Sequence, residues 1–167
     1  MTTETKAALA VLQQALELEQ RGHEFYIQAA ERTVDPKGKA MLLSLAGDET
    51  LHEKFIQRQI DALTEGEGWI VPADLPEVDA DLSTPLFPAG KVELEKAIRP
   101  DASDLDALLF ALKIENDSFV LYAEQAKKVT DRNAKRLYEY LADAERTHFN
   151  LLMTNYESLN SNTGWVG

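Results

Sequence analysis

The feature that most constrains the fold is an internal repeat, in which the second half of the chain follows the first at a shift of 96 residues. Positions 15–56 give 11 identities over 42 positions at this shift, without a gap. A repeat of this kind is most simply explained by two equivalent helical hairpins. The repeated residues include two copies of a Glu-x-x-His motif, "ETLH" ending at His52 and "ERTH" ending at His148.

Each half of the chain carries two stripes of apolar residues in alternating steps of three and four. The stripes of the first half lie in 5–33 and 36–64, and those of the second half run from Leu105 to Ala126 and from Leu137 to Leu159. Such spacing is typical of helices that face the core of a bundle. The pattern predicts an all-α four-helix bundle made of two hairpins.

Capping residues predict where three of the helices begin. Asp35 before Pro36 fits an N-cap followed by proline at the first helical position. Asp131 is expected to cap the fourth helix. Ser103 is expected to cap the third, because Asp106 follows it by three positions and the pair resembles a capping box.

A proline-rich stretch separates the two hairpins. Five of the six prolines fall in 65–102, which we interpret as one long crossover. A helix of about 28 residues is about 42 Å long, and the crossover must return along that length. Within it, "KVELEKAI" at 91–98 favours a short helix. We predict a single domain over 1–167, with hairpins at 5–64 and 103–159, the crossover at 65–102 and a tail at 160–167.

Composition excludes several classes of site. The chain has no Cys, which excludes disulfides, iron–sulfur clusters, thiolate zinc sites and thiol nucleophiles. The net charge of −12 argues against partners such as nucleic acid or anionic membranes. The sequence has neither a signal-peptide pattern nor an apolar run of about 18 residues, so we expect a cytoplasmic protein with no membrane span.

Each apolar stripe contains a glutamate where an apolar residue belongs. A buried carboxylate without a partner is costly, and the stripes offer few Lys or Arg to pair with four of them. The alternative is that the helices turn these glutamates to the surface, which would also expose their apolar neighbours. Glu19 lies 16 residues before Asp35 and Glu49 lies 14 after it, so the two reach the same height in the hairpin. Glu115 and Glu145 stand likewise around Asp131.

Four carboxylates and two imidazoles are therefore predicted to meet at the middle of the bundle. Two divalent ions would neutralise the four negative charges and leave positions for water, O2 or peroxide. Oxygen and nitrogen donors suit iron or manganese, while zinc is possible but redox-inert. Ferritin-like proteins use this ligand pattern, one Glu from each of two helices and Glu-x-x-His from each of the other two. The predicted metal ligands are Glu19, Glu49, His52, Glu115, Glu145 and His148.

Four other residues are candidates for neighbours of this site. Tyr26 and Tyr122 stand two turns beyond the glutamates of their own helices, where they either donate hydrogen bonds to cluster carboxylates or fill the core. Asp48 could accept a hydrogen bond from Nδ1 of a ligand imidazole, although its repeat counterpart is Ala144. His23 faces inward one turn from the first-helix glutamate, and we interpret it as a core histidine or a neighbour of the ligands rather than a ligand.

Four segments resemble the ligand helices of the rubrerythrin branch of the ferritin-like superfamily: "LELEQRGHEFYIQAAE", "DETLH", "ALKIENDSFVLYAEQA" and "AERTH". The resemblance covers 5–64 and 103–159 and includes all six ligand positions. It implies a di-iron centre that reduces hydrogen peroxide or O2, and a homodimer. Rubrerythrins usually carry a Cys-rich rubredoxin domain that supplies electrons to the iron. Because this sequence contains no Cys, the resemblance implies that electrons come from an external rubredoxin-like protein.

One position departs from the rubrerythrin pattern. Rubrerythrins have a further glutamate one turn after the third-helix ligand, and it exchanges with a histidine when the iron changes oxidation state. Ser118 stands there in this chain, so such an exchange is in doubt and the site should be more symmetric. Two alternatives stay open: an iron or manganese binding or storage protein with ferroxidase activity, and a structural protein whose metal staples the bundle.

Overall fold

Four α-helices carry the fold in the computed structural model, which describes residues 1–71, 75–87 and 103–167. They are α1 (Thr3–Arg32), α2 (Pro36–Glu65), α3 (Asp104–Lys128) and α4 (Arg132–Asn160), and the described residues form no β-strand. The predicted all-α four-helix bundle is therefore confirmed. The short helix predicted at 91–98 lies outside the described residues. Within them, no helix has the length and apolarity needed to cross a membrane.

The capping residues begin the helices as the sequence predicts. Asp35 and Asp131 each accept a hydrogen bond from the backbone N–H two residues ahead, at 2.8 Å, and so cap α2 and α4. Ser103 caps α3 by accepting the N–H of Asp106 at 3.1 Å. At its other end, α2 stops at Gly66, whose φ of 82° lies in the left-handed region that glycine adopts without strain.

Two apolar clusters fill the bundle at different heights. Cluster I comprises Phe25, Tyr26, Ala29, Ala30, Met41, Leu42, Leu45, Ala46, Leu108, Ala111, Leu112, Ile114, Phe149, Leu152 and Trp165. Cluster II comprises Leu12, Ala15, Leu16, Ile56, Leu63, Phe119, Tyr122, Ala123, Ala126, Leu137, Tyr138, Leu141 and Ala142. On every helix the predicted metal ligands lie between the residues of the two clusters, which places them at the middle of the bundle.

The order of the clusters along the chain explains why a crossover is needed. Both α2 and α3 pass from cluster I to cluster II, so they run in the same direction and the chain between them must return along the bundle. The described part of this connection does so, because Trp69 and Leu82 pack against cluster II and Phe87 packs against cluster I. The rings of Phe87 and Phe149 meet edge to face, with centroids 5.0 Å apart.

The start of the crossover is anchored by a buried amide on α2. Gln59 donates from Nε2 to the carbonyl oxygen of Gly68 at 3.1 Å and accepts the N–H of Ile70 at 2.9 Å. Asn133 of α4 donates to the carbonyl oxygen of Trp69 at 3.0 Å. These bonds satisfy backbone groups that would otherwise lie unpaired beside the bundle.

The C-terminal tail folds back on the end of the bundle that contains cluster I. Trp165 is buried there, and the N–H of Val166 donates to Asn155 at 3.0 Å. The indole lies against Gly38 of α2. A Cβ at this position would meet Cε2 of Trp165 at 2.5 Å and Cγ2 of Thr33 at 2.9 Å, so glycine is needed for the close approach.

We expect Gly38→Ala to displace the tail. Overpacking of this kind costs on the order of 1–3 kcal/mol, to be measured as the free energy of unfolding in urea. The fluorescence of Trp165 should shift to longer wavelength, which a Trp69→Phe background isolates. Gly47→Ala on the same helix is the control, because nothing lies within 4 Å of a Cβ there and alanine should be neutral or stabilise the helix. Equal stability of the two variants would show that Trp165 is not seated on Gly38.

Candidate metal centre

All six predicted ligand side chains lie together, buried, between clusters I and II. They form two groups of four, and within each group one oxygen or nitrogen atom per residue lies within 4.8 Å of the others. Group A consists of Glu19, Glu49, His52 and Glu145. Group B consists of Glu49, Glu115, Glu145 and His148. Each group offers three carboxylates and one imidazole.

Two glutamates belong to both groups. Glu49 of α2 and Glu145 of α4 are shared, whereas Glu19 of α1 belongs only to group A and Glu115 of α3 only to group B. The shared residues are the glutamates of the two Glu-x-x-His motifs, and the internal repeat places them opposite each other. Such an arrangement can hold two cations with two carboxylates between them.

Both imidazoles turn the same nitrogen toward the carboxylates. Nδ1 of His52 lies 3.1–3.7 Å from a carboxylate oxygen of each glutamate in group A. Nδ1 of His148 lies 3.3–3.5 Å from a carboxylate oxygen of each glutamate in group B. The two rings stack with centroids 5.7 Å apart. Nδ1 is therefore the atom that each histidine presents to its group.

Several atoms of the cluster are buried without a hydrogen-bond partner. They are Oε1 of Glu49, both carboxylate oxygens of Glu145 and Nδ1 of His148. Burying such atoms unpaired is costly, and a bound cation would satisfy them. Two divalent ions would also balance the four carboxylate charges. The donor set therefore fits two divalent ions, and oxygen with nitrogen donors suits iron or manganese. That these side chains bind metal stays a prediction.

Two buried phenols hold the unshared carboxylates. Tyr26 of α1 donates a hydrogen bond to Glu115 of α3, and Tyr122 of α3 donates one to Glu19 of α1. The predicted bonds to cluster carboxylates are present, but each tyrosine reaches across to the other hairpin. Burial, followed by the charge of the carboxylate it contacts, raises the pKa of each phenol well above its usual value. Both remain proton donors at neutral pH.

The unshared glutamates hold protons more strongly than isolated carboxyls. Burial is the main cause of the raised pKa of Glu19, and the negative charge of Glu145 adds to it. Burial likewise raises the pKa of Glu115, with further contributions from Glu49 and Glu145. These two carboxyls are therefore the ones that protonate first when no ion is bound.

The shared glutamates have lowered pKa values, whereas the two histidines have raised ones. Burial pushes the pKa of Glu145 upward, but the close approach of the Glu115 carboxyl and the charge of His52 outweigh it and lower the pKa. For Glu49, burial is likewise outweighed by hydrogen bonds with neighbouring side chains. Burial would lower the pKa of His52 and His148, but the surrounding carboxylates raise both. Without metal, protons on these histidines balance the shared carboxylates.

Asp48 lies beside the site, but at a different atom from the one predicted. Its Oδ2 is 3.2 Å from Nε2 of His148, whereas the sequence predicted contact with Nδ1 of a ligand imidazole. That expectation was wrong because Nδ1 is turned inward to the carboxylates. His23 lies outside both donor groups. It is half-buried, and its Nδ1 is 3.0 Å from the carbonyl oxygen of Ala46.

Sequence reasoning missed one residue of the site, Gly22 on α1. A Cβ at this position would lie 3.4 Å from Cδ of Glu49, so the backbone of α1 approaches a shared carboxylate closely. The internal repeat offered a signal, because the counterpart of Gly22 is another small residue, Ser118. Ser118 is also buried, one turn after Glu115 on α3.

Comparison with known proteins identifies the family. A model of the ferritin-like domain matches residues 7–157, which is most of the chain. The chain belongs to the ferritin-like domain family. The comparison with curated proteins gives no significant match.

A solved structure supports the ferritin-like fold. It is a hypothetical protein from Pyrococcus furiosus, with a TM-score of 0.67 and 26% sequence identity, and the match covers 93% of this chain and 91% of that one. In the ferritin-like family, di-iron and di-manganese centres are built from inward-facing glutamates and Glu-x-x-His motifs. The buried groups A and B are compatible with such a centre.

Proposed function

We propose that this ferritin-like protein is a non-haem di-iron oxidoreductase of the rubrerythrin type, which reduces hydrogen peroxide or O2. The observation that supports it most is the sharing of Glu49 and Glu145 between groups A and B. Glu49 and Glu145 would help to hold both ions, and a pair of ions held by common residues could act together on one small oxidant. Peroxide reduction needs two electrons, and a pair of ions can provide them together.

The chemistry of the reaction divides between the ions and the chain. When bound, two Fe(II) ions would supply the two electrons that, with two protons, convert one hydrogen peroxide molecule into two water molecules. Group A would hold one ion and group B the other, with four donor residues each. Iron commonly takes more than four donors, so positions remain for the oxidant.

The phenols of Tyr26 and Tyr122 would keep the unshared carboxylates in place. Each holds its proton at Oη, directed to Glu115 or Glu19, in a site that the two apolar clusters shield from water. A fixed donor to one carboxylate oxygen leaves the other oxygen to face an ion. In this proposal the tyrosines orient ligands and hold protons close to the place where peroxide is reduced.

Return of electrons to the oxidised site is assigned to a separate protein. The 167 residues contain no Cys, so they cannot build the thiolate iron centre that rubredoxins use. We therefore propose an external rubredoxin-like donor. We also propose that the protein acts in the cytoplasm and that it forms a homodimer, the assembly that the resemblance implies.

The test is stopped-flow oxidation of anaerobic, Fe(II)-loaded protein by matched concentrations of hydrogen peroxide and O2. We expect faster oxidation by peroxide, with no more than two Fe(III) per chain. Faster oxidation by O2, with many Fe(III) accumulating per chain, would assign the protein to iron storage with ferroxidase activity. Bound iron that neither oxidant oxidises would indicate a purely structural metal.

Ser118 should weaken the preference for peroxide, because a hydroxyl cannot replace the anionic ligand that rubrerythrins have at this position. We expect Ser118→Glu to raise the ratio of the peroxide rate to the O2 rate. Ser118→Ala is the matched control and should leave the ratio unchanged. A ratio that does not respond to Ser118→Glu would remove this position from the explanation.

A further inference from the structure

The two ligand histidines differ at their outer nitrogen. Nε2 of His148 lies 3.2 Å from Oδ2 of Asp48, so α2 supplies a carboxylate to the histidine of α4. The His148 side chain is only 8% exposed, whereas that of Asp48 is 52% exposed at the rim of the site. The bond therefore joins a buried donor to an acceptor that can be changed with little effect on the core.

The internal repeat shows that His52 lacks the carboxylate partner that Asp48 provides to His148. The counterpart of the Asp48–His148 pair would join position 144 of α4 to His52 of α2, and position 144 is alanine. In the described residues, every carboxylate contact of His52 is made at Nδ1, and none at Nε2. The ring of Tyr140 meets the His52 ring edge to face, with centroids 6.3 Å apart.

A carboxylate on the outer nitrogen changes how an imidazole binds a metal ion. It fixes the proton on Nε2, so that the lone pair of Nδ1 faces the ion, and it holds the ring in one orientation. It also makes Nδ1 a stronger donor. Asp48 orients and strengthens the imidazole donor of group B alone. In every other respect the two groups offer the same donors, three carboxylates and one imidazole each.

We propose that the two metal positions are unequal and that group B binds its divalent ion first and more tightly, with Asp48 as the positioning residue responsible. The inference rests on the proposed function, because it presupposes a two-ion centre. Loss of a partner of this kind typically weakens metal binding by about 10- to 100-fold. We expect a difference of that order between the two dissociation constants.

The experiment is a calorimetric titration of ion-free protein with Co(II) under anaerobic conditions, with visible absorption as a second readout. The wild-type chain should bind two ions in two resolved steps. Asp48→Asn, which keeps the shape of the side chain and removes its charge, should weaken the tighter step by about 10- to 100-fold and bring the steps together. Ala144→Asp should instead strengthen the weaker step.

A control separates the hydrogen bond from a general effect of charge. Glu53→Gln removes one negative charge from α2, and no described ion pair or hydrogen bond joins Glu53 to either histidine. It should shift both steps slightly and about equally. If Glu53→Gln and Asp48→Asn weakened the tighter binding step equally, the effect would be one of charge alone, and the proposed role of Asp48 would be overturned.

Single histidine variants assign the step to a group. In a His148→Ala background, Asp48→Asn should have no effect on the remaining ion, whereas in a His52→Ala background its effect should persist. Two equal steps in the wild-type chain, or equal effects in both backgrounds, would overturn the inference and leave the two-ion proposal standing. A wild-type chain that binds no Co(II), Fe(II) or Mn(II) would overturn the proposed function itself.

Discussion

Glu145→Gln is expected to abolish tight binding of both ions, whereas Glu19→Gln is expected to abolish the binding of one. Glu145 belongs to both donor groups and Glu19 only to group A, so the same isosteric change removes a carboxylate from two positions or from one. Removing one partner of a buried charge pair costs about 3–5 kcal/mol, which corresponds to more than about 100-fold in affinity. Metal analysis after exhaustive dialysis should give two ions in the wild-type chain, none in Glu145→Gln and one in Glu19→Gln.

Comparing these two variants shows whether metal is lost because a ligand is removed or because the protein unfolds. Both residues are buried and both substitutions replace a carboxylate by an amide of the same shape, so circular dichroism should report similar helix content for both. Glu115→Gln should behave as Glu19→Gln does, with the remaining ion in group A. Retention of one tightly held ion in Glu145→Gln would mean that Glu145 is not shared, and the two-ion arrangement would need to be redrawn.

The sequence predicts the helices well because the signals that specify them are local. Asp35 and Asp131 act on backbone groups two or three residues away, and apolar spacing reports the buried face of a single helix. The height of each glutamate follows from counting residues on either side of a turn. The repeat then doubles the information, because every inference about Glu19 and Glu49 has an independent copy in the second hairpin.

Features that depend on how the hairpins meet could not be predicted in the same way. Tyr26 contacts Glu115 rather than the glutamate of its own helix, and this depends on the rotation of α1 relative to α3. The atom of His148 that meets Asp48 depends on a side-chain torsion. Trp165 in the tail contacts Gly38 on α2, although the two residues are 127 positions apart in the sequence. No local pattern around either residue indicates this contact.

The ion-free protein is expected to lose stability steeply as pH rises. Glu19 and Glu115 have raised pKa values, so the folded state keeps protons that the unfolded chain releases above about pH 4.3, and stability falls as pH rises above that value. His52 and His148 also have raised pKa values. Their contribution is complete below about pH 6.5 and is lost as pH rises through their folded pKa values.

The shared glutamates determine how the stability of the ion-free protein changes at low pH. Glu49 and Glu145 have lowered pKa values, so they contribute stability above about pH 4.3 that is lost as pH falls through their folded pKa values. The ion-free bundle should therefore be most stable in mildly acidic solution. Acid and base both destabilise it, through different members of one cluster.

Bound ions should reduce the pH dependence of the free energy of unfolding above neutral pH. Two divalent ions bring four positive charges and so replace the protons that the folded cluster otherwise retains, and they add stability by binding only the folded state. Urea unfolding at several pH values between 7 and 9 should show the chelated protein losing more than about 1.4 kcal/mol per pH unit, the value for one extra proton, while the loaded protein changes little. Glu19→Gln removes one of the retained protons and should make the ion-free slope shallower. A chelated wild-type chain with no slope over this range would mean that the carboxylates and imidazoles do not exchange protons as one buried cluster.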